Sequence, residues 1–210
     1  GMKKLSFFIT LIILSFQSIN SQAQTDIPNP DMWITNGQVN SIAIDGDYTY
    51  LGGEFTYLGP NTGAGVKLSS LSSTFGNNFP NVNGNILKVI PDGSGGWYIG
   101  GFFTKVGNVV RNRLARINSD GSVHSWNPNA NGTVYGITLS GNEIYVGGLF
   151  TTIGGQSRNR IARVNSTTGE LDLNWNPNAN NHIRIIVVSG SDIYVAGNFT
   201  SIGGQSRNRI

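Results

Sequence analysis

Cysteine is absent from this sequence, and charged residues are scarce. Without cysteine the chain has no disulfide bond, no thiolate metal ligand and no attachment point for an N-terminal lipid anchor. Charged residues make up only 12% of the 210 residues, and no dense group of Lys and Arg occurs. The formal net charge of +3 falls to +1 without the two lysines near the N-terminus, since 12 basic residues then face 11 acidic ones. We therefore expect no nucleic-acid partner.

The N-terminal segment has the order of a secretory signal peptide. Two lysines precede an apolar run of 12 residues, Leu5 to Phe16, and small residues follow up to Ala23. The run is too short to cross a bilayer comfortably, so we expect no membrane span in the mature chain. We interpret residues 1–23 as a signal peptide, with Gly1 left by cloning, and a mature chain from Gln24 that is secreted, periplasmic or at the cell surface. A buried strand or helix is the alternative interpretation.

Four segments of the remaining sequence align on one glycine-rich pattern, which is typical of an internal repeat. Each copy carries a phenylalanine, with spacings of 48, 47 and 49 residues, at Phe55, Phe103, Phe150 and Phe199. An Arg-Asn-Arg triplet follows three of the copies and contributes Arg111 and Arg113, Arg158 and Arg160, and Arg207 and Arg209. Two copies end in a Trp-Asn-Pro sequence, at Trp126 and Trp175. The spacing indicates one structural unit repeated along the chain.

The third copy shows how one unit divides into strands. Residues 134–141 alternate between apolar and polar or small side chains, and a turn separates them from the β-rich run 143–153. Residues 160–167 predict a third strand, and residues 170–175 predict a fourth one that ends at Asn-Pro. No part of the mature chain has a convincing helical period, so the chain is predicted to be all-β.

Four strands in a unit of 47–49 residues are typical of the blade of a β-propeller. Paired glycines such as Gly147-Gly148 mark a bulge or a close approach of two backbones, which blades packed face to face require. A β-solenoid is the alternative. We expect a strand over residues 24–36 that serves in ring closure, followed by four units. These first to fourth units cover about 37–83, 84–131, 132–180 and, incompletely, 181–210.

The segment from Asp92 to Val134 carries the Gly-Gly, Phe-Thr, Arg-Asn-Arg and Trp-Asn-Pro elements in order and resembles the delta-60 repeat. That repeat is a β-propeller-like unit of exported and cell-surface bacterial proteins, and the resemblance extends over about residues 37–210. The first copy departs from it, because residues 61–65 replace the Arg-Asn-Arg stretch. The fourth copy stops at Ile210, and we expect further repeats after it. The resemblance implies a scaffold or interaction role and brings no catalytic residues with it.

Residues that recur in every unit are expected to build the unit rather than to bind a ligand. The arginine triplets present planar donors that suit carboxylates or anionic sugars, but their repetition favours hydrogen bonds to loop backbone. The repeated phenylalanines are expected between blades, and Trp126 and Trp175 are expected to close the outer strand onto the blade. Stacking on a sugar is the alternative role for tryptophan, including Trp33 and Trp97, which lie outside the repeat.

Residues that break the repeat are better candidates for a ligand site, and they include Trp33, Glu54, Trp97, His124 and His182. Neither histidine has sequence neighbours that complete a zinc site or a catalytic triad, so no metal and no catalytic residue are assigned. The acidic turn at residues 45–47 is a candidate contributor to a Ca²⁺ site, although the further ligands of a calcium loop are missing. Apart from that ion, we expect no cofactor.

These features favour an exported, non-catalytic binding or scaffold module of the bacterial cell surface or envelope, with an extracellular glycan or protein as its partner. A glycan-active propeller enzyme, either a hydrolase or a lyase, is the alternative, because the fold alone does not decide function. Two repeat-breaking residues meeting in one pocket would favour the enzyme. Open blade edges at the incomplete unit predict self-association.

Overall fold

A computed structural model describes residues 33–45, 48–54, 58–60, 67–68, 75–76 and 79–207. These residues form strands and turns and no helix, which confirms the all-β prediction. Accordingly, this part of the chain has no helix that is long and apolar enough to cross a membrane. The predicted signal peptide, most of the predicted strand over 24–36, Phe55 and Arg209 lie outside the described residues.

Twenty short strands occur in the described residues. In chain order they are β1 (Trp33–Thr35), β2 (Gln38–Asp45), β3 (Tyr48–Glu54), β4 (Leu58–Pro60), β5 (Lys67–Leu68), β6 (Phe75–Gly76), β7 (Asn85–Pro91), β8 (Trp97–Phe102), β9 (Lys105–Val106), β10 (Val109–Val110), β11 (Leu114–Ile117), β12 (Val134–Ser140), β13 (Glu143–Gly148), β14 (Thr152–Ile153), β15 (Gln156–Ser157), β16 (Ile161–Asn165), β17 (Ile183–Ser189), β18 (Asp192–Gly197), β19 (Ser201–Ile202) and β20 (Gln205–Ser206).

Each unit begins with an antiparallel hairpin. The four hairpins are β2–β3, β7–β8, β12–β13 and β17–β18. In the third unit, Gly141 adopts a φ of 56° in the two-residue turn, a conformation that glycine reaches without strain. All four hairpins contain a register shift near the start of the first strand, which in the third unit falls between Val134 and Gly136. The shift is a bulge that bends the strand and increases its twist.

A third strand extends the hairpin in the second and third units, where β11 pairs with β8 and β16 pairs with β13. The fourth segment is shorter than predicted, because it pairs through a single isolated bridge, Val164 to Leu171 in the third unit. The chain bends directly after this bridge, since the Asp172 carboxylate accepts a hydrogen bond of 2.8 Å from the Asn174 amide. The outer segment therefore closes the sheet with one residue pair instead of a full strand.

The second β-rich run of each unit is divided in two. In the third unit β13 ends at Gly148, the buried Phe150 follows, and β14 then pairs with β15 in a small hairpin. Gly154 and Gly155 connect these strands with φ values of 59° and 73°, the pair of positive angles that a tight hairpin turn requires. The same small hairpin recurs as β9–β10 and β19–β20.

Successive units pack against each other on the first glycine of each pair. β12 lies against β7 and β8 on one side and against β17 on the other. A Cβ atom on Gly147 would lie 2.6 Å from Ile183 Cγ2, and one on Gly100 would lie 2.6 Å from Ile137 Cδ1. The second glycine, Gly148, instead faces the backbone of its own hairpin at the bulge. The pair therefore provides both a close approach between units and room for the bulge.

The hydrophobic core lies between units. The largest cluster combines Tyr98 and Leu114 of the second unit with Val134 and Phe150 of the third. Phe199 of the fourth unit lies in an equivalent cluster with residues of the third. Each unit is therefore stabilised by the unit beside it, as in other repeat proteins. The described sheets do not close into a ring.

Candidate ligand-binding cluster on the first strands

The arginine triplet of the third unit uses its donors on nearby backbone. Arg158 is buried, with 8% of its surface exposed, and its Nη2 donates to the carbonyl oxygens of Asp172 at 3.3 Å and Leu173 at 3.0 Å. Arg160 Nη1 donates to the Leu149 carbonyl oxygen at 2.6 Å. These contacts tie the loop and the outer segment to the sheet.

The second unit repeats this arrangement. Arg111 Nη2 donates to the carbonyl oxygen of His124 at 2.8 Å, which is the counterpart of the bond from Arg158 to the outer segment. Arg113 adopts a φ of 61°, and its guanidinium lies 5.7 Å from the centre of the Phe102 ring. In the fourth unit, Arg207 is exposed.

The repeated tryptophans contact tyrosines of their own unit. Trp126 is 1% exposed, its ring centre lies 5.0 Å from that of Tyr98, and its Nε1 donates to the Asn165 carbonyl oxygen at 2.9 Å. Trp175 is half-buried and meets Tyr145 edge to face at 5.4 Å. The Trp126 ring is therefore covered by protein, and the Trp175 ring is covered in part.

The other predicted ligand residues lie apart in the chain. Trp33 belongs to β1 and Glu54 ends β3, and for both of them only the backbone is described. Trp97 begins β8 and is half-buried.

His124 lies in the outer segment of the second unit, where its Nδ1 accepts a hydrogen bond of 3.0 Å from the Trp126 amide. Burial, followed by the positive charge of Arg116, lowers the pKa of His124 below its usual value. Both effects disfavour the charged imidazole. The histidine therefore acts as a neutral acceptor within the loop.

Side chains from three units gather beside the first strands. We call Lys88 of β7, Tyr135 of β12, Arg184 of β17 and the preceding His182 the first-strand cluster. The Arg184 guanidinium lies 5.4 Å from the centre of the Tyr135 ring, and the His182 ring meets that ring edge to face at 5.9 Å. Lys88, Tyr135 and Arg184 line one small cavity of about 60 Å³.

Hydrogen bonds orient the fourth-unit part of the first-strand cluster. Arg184 Nε donates to Asn198 Oδ1 at 2.9 Å, and Arg184 Nη2 lies 3.4 Å from His182 Nε2. The other imidazole nitrogen, His182 Nδ1, is buried without a hydrogen-bond partner. The arginine is held at its Nε, which leaves the exposed end of its guanidinium for a ligand.

The first-strand cluster is positively charged. The cavity is lined by Lys88 and Arg184, and none of its lining residues carries a carboxylate. The ion pairs found in the described part of the chain lie elsewhere, between Arg116 and Asp92 and between Arg163 and Asp172. An electropositive concavity of this kind attracts anions.

A metal site does not emerge from the described residues, where no three His, Cys, Asp or Glu side chains come together. The predicted calcium candidate at residues 45–47 is only partly within reach, because Gly46 and Asp47 lie outside the described part of the chain.

Of the predicted ligand residues, His182 belongs to the first-strand cluster. Lys88, Tyr135 and Arg184 were missed, because none of them stands out in its own unit. Comparison of the first strands provides the signal: Leu87, Tyr135 and Arg184 occupy the same position in successive units and differ in each. A position that varies within an otherwise regular repeat is not needed to build the unit.

The hairpins, the inter-unit core and the repeated glycine contacts define an all-β protein of stacked, propeller-like units. A family model described as "Domain of unknown function (DUF5122) beta-propeller" matches residues 90–123, 142–174 and 186–210. Each matched segment falls in one unit, so the chain carries β-propeller repeats, as predicted from the spacing. Comparisons with curated proteins and with solved structures gave no match.

Proposed function

We propose that the mature chain is an exported, non-catalytic binding module of the bacterial cell surface or envelope, of the delta-60 repeat type, and that its ligand is an anionic glycan. The signal-peptide pattern over residues 1–23 and the resemblance of the repeats support export. The observation that carries the choice of ligand is the first-strand cluster. It combines two cations and two aromatic rings from three units, with no carboxylate among the residues that line its cavity.

The first-strand cluster suits a carboxylate or sulfate group. The guanidinium of Arg184 presents parallel donors in one plane, and Lys88 adds a second positive charge. A cavity of about 60 Å³ admits one such group and is too small for a sugar ring. The glycan would therefore place one acidic substituent in the cavity, while its rings lie along the neighbouring surface beside Tyr135.

Calorimetric titration of the protein with a uronic-acid oligomer and with a neutral oligomer of the same length tests this proposal. The acidic oligomer is expected to bind, and its affinity is expected to fall as salt rises. Arg184→Gln should weaken binding about tenfold, because it removes a charge-assisted hydrogen bond. Arg207→Gln is the matched control, since Arg207 is exposed and lies outside the first-strand cluster. Equal affinity for both oligomers, or unchanged binding by Arg184→Gln, would contradict the proposal.

The contact between Tyr135 and His182 favours one second candidate, a lyase that acts on the same class of glycan. A phenol beside an imidazole provides groups for proton transfer, and Arg184 would neutralise the adjacent carboxylate of the substrate. The double bond formed by such a reaction absorbs in the ultraviolet. Tyr135→Phe should stop product formation and leave binding intact. An acidic oligomer that stays uncleaved with the wild-type protein favours the binding module.

Export is tested by N-terminal sequencing of the protein recovered from its bacterial host. We expect the mature chain to begin at or near Gln24 and to lie outside the inner membrane. A cytoplasmic protein that still carries Lys3 and Lys4 would contradict this part of the proposal.

A further inference from the structure

The outer face of the fourth hairpin is apolar and exposed. We call Ile185 and Val187 of β17 with Tyr194 and Ala196 of β18 the fourth-unit face. Ile185, Val187 and Tyr194 are 57%, 51% and 60% exposed, which is unusual for side chains of this size in strands. All four residues line a groove of about 370 Å³.

The corresponding face is covered in the two preceding units. Tyr98, Tyr145 and Tyr194 occupy equivalent positions, yet they are 2%, 8% and 60% exposed. The first two lie in clusters that the following unit completes. Gly100 and Gly147, at the position of Ala196, contact isoleucines of the following first strand. The chain therefore shows twice that this face receives the first strand of another unit.

A first strand with an exposed contact surface is present on the same chain. Val89 of β7 is 47% exposed, whereas its equivalents Ile137 and Ile186 are 1% and 5% exposed because they pack on the preceding unit. Val89 thus occupies the position that inserts into the neighbouring face, and it is accessible in the structure.

The two exposed surfaces are complementary in size. The contact between Gly100 and Ile137 leaves no room for a Cβ, because such an atom would lie 2.6 Å from the Ile137 Cδ1. The fourth-unit face has gained that Cβ, as Ala196, and Val89 lacks the Cδ1 of isoleucine. The methyl group added on one side is therefore matched by a methyl group missing from the other.

We propose that the fourth-unit face binds β7 of a second copy of this chain, so that copies associate head to tail. The contact continues an interface that already joins the second, third and fourth units. Ile185 stands where the third unit has Gly136, so β17 and the incoming strand lie further apart than β12 and β17 do. The association is therefore weaker than the packing within the chain, and it depends on concentration. It requires no glycan and stands apart from the proposed ligand.

Sedimentation velocity over a range of protein concentrations measures this association. Because the two surfaces differ, the wild-type mass should rise beyond that of a dimer. Tyr194→Lys disables the fourth-unit face, and Val89→Lys disables β7, so each variant alone should stay monomeric. An equimolar mixture retains one intact contact, from Tyr194 to Val89 in trans, and should form a dimer that grows no further.

Leu173→Lys is the control, because Leu173 is 64% exposed and lies outside both surfaces. It should associate as the wild type does, and circular dichroism should show the same β-structure in all variants. A wild-type mass that does not change with concentration would overturn the proposal. So would association that survives both lysine substitutions, or variants that fail to pair when mixed.

A size exchange tests the contact between Val89 and Ala196 directly. Val89→Ile restores the methyl group that collides with Ala196 and should weaken association about tenfold. Adding Ala196→Gly should restore it. If Val89→Ile associates as well as the wild type does, these two residues do not meet in the assembly and the proposed contact is wrong.

Discussion

The second and third units share one scaffold, but they hold an equivalent arginine by different means. Arg116 and Arg163 occupy the same position on the third strand. Arg116 donates from Nε and Nη2 to Asp92, at 3.0 and 2.8 Å, and Asp92 belongs to the turn of the first hairpin. Arg163 donates from the same two nitrogens to Asp172, which belongs to the outer segment. The carboxylate thus reaches the arginine from opposite ends of the unit.

In the second unit, His124 takes the place of Asp172. The amides of both residues donate to the carbonyl oxygen of the corresponding arginine, at 2.8 Å for His124 and 2.9 Å for Asp172. Both side chains also accept a hydrogen bond from the amide two residues later. The repeat therefore fixes the path of the backbone and the position of the arginine, while the source of the carboxylate is free to change.

The largest expected effect tests what the two units have in common. Phe103 and Phe150 are 3% and 0% exposed, so replacing either with alanine should cost about 3–5 kcal/mol of unfolding free energy. The neighbouring Phe102 and Leu149 are 58% and 37% exposed, and their alanine variants are the controls. Denaturant titration provides the measurement. An unmoved midpoint for one buried phenylalanine would show that its unit lacks the shared core.

The arginines that hold the outer segment should separate the two units. Arg158 Nη2 donates to two carbonyl oxygens of that segment, whereas Arg111 donates to one. Arg158→Ala should cost about 1–3 kcal/mol, because it leaves both carbonyls unsatisfied, and Arg111→Ala should cost less. The same titration compares them, and a larger loss for Arg111→Ala would reverse the interpretation.

The two ion pairs differ in burial, and their carboxylates should differ in cost. The side chain of Asp92 is 2% exposed and that of Asp172 is 21% exposed. Asp92→Asn should therefore cost about 2 kcal/mol and Asp172→Asn no more than about 1 kcal/mol at neutral pH. Equal losses would show that burial does not distinguish the two pairs.

The acid dependence of stability checks the same pairs. Burial alone raises the pKa of Asp92, but hydrogen bonds from the Ser94 amide and Arg116 outweigh it and hold the pKa below its usual value. The Arg163 guanidinium lowers the pKa of Asp172. Since both pKa values lie below that of an unfolded aspartate, about 3.9, the stabilisation is present above that pH and is lost as the pH falls through the folded-state values. Each Asn variant should remove part of that acid sensitivity.

The sequence predicted the units well because strand alternation and a regular spacing are local properties. The fourth strand was overestimated, since residues 170–175 alternate as a strand does, yet the side chain of Asp172 bends the chain after one bridge. Among the first-strand cluster only His182 was predicted, because the cluster exists only where three units are already packed. His124 also broke the repeat, but it fills the structural role of Asp172.

The smallest expected effect concerns His124 and transfers the third unit's arrangement to the second. Burial, and after it the charge of Arg116, lowers the pKa of His124. Its folded-state pKa therefore lies below that of an unfolded histidine, about 6.5. The stabilisation from the neutral imidazole is present above that pH and is lost as the pH falls through the folded-state pKa.

In His124→Asp, the new carboxylate has the position from which Asp172 accepts an amide hydrogen bond and pairs with Arg163. It should accept the Trp126 amide and pair with Arg116, so the unfolding free energy at neutral pH should stay within about 0.5 kcal/mol of wild type. The decline in stability between about pH 7 and pH 5 should disappear, because no group there titrates in that range. His124→Ala removes the acceptor and should be less stable across the whole range. If the aspartate variant is as unstable as the alanine variant, the second unit has no room for the third unit's ion pair, and the two arrangements are not interchangeable.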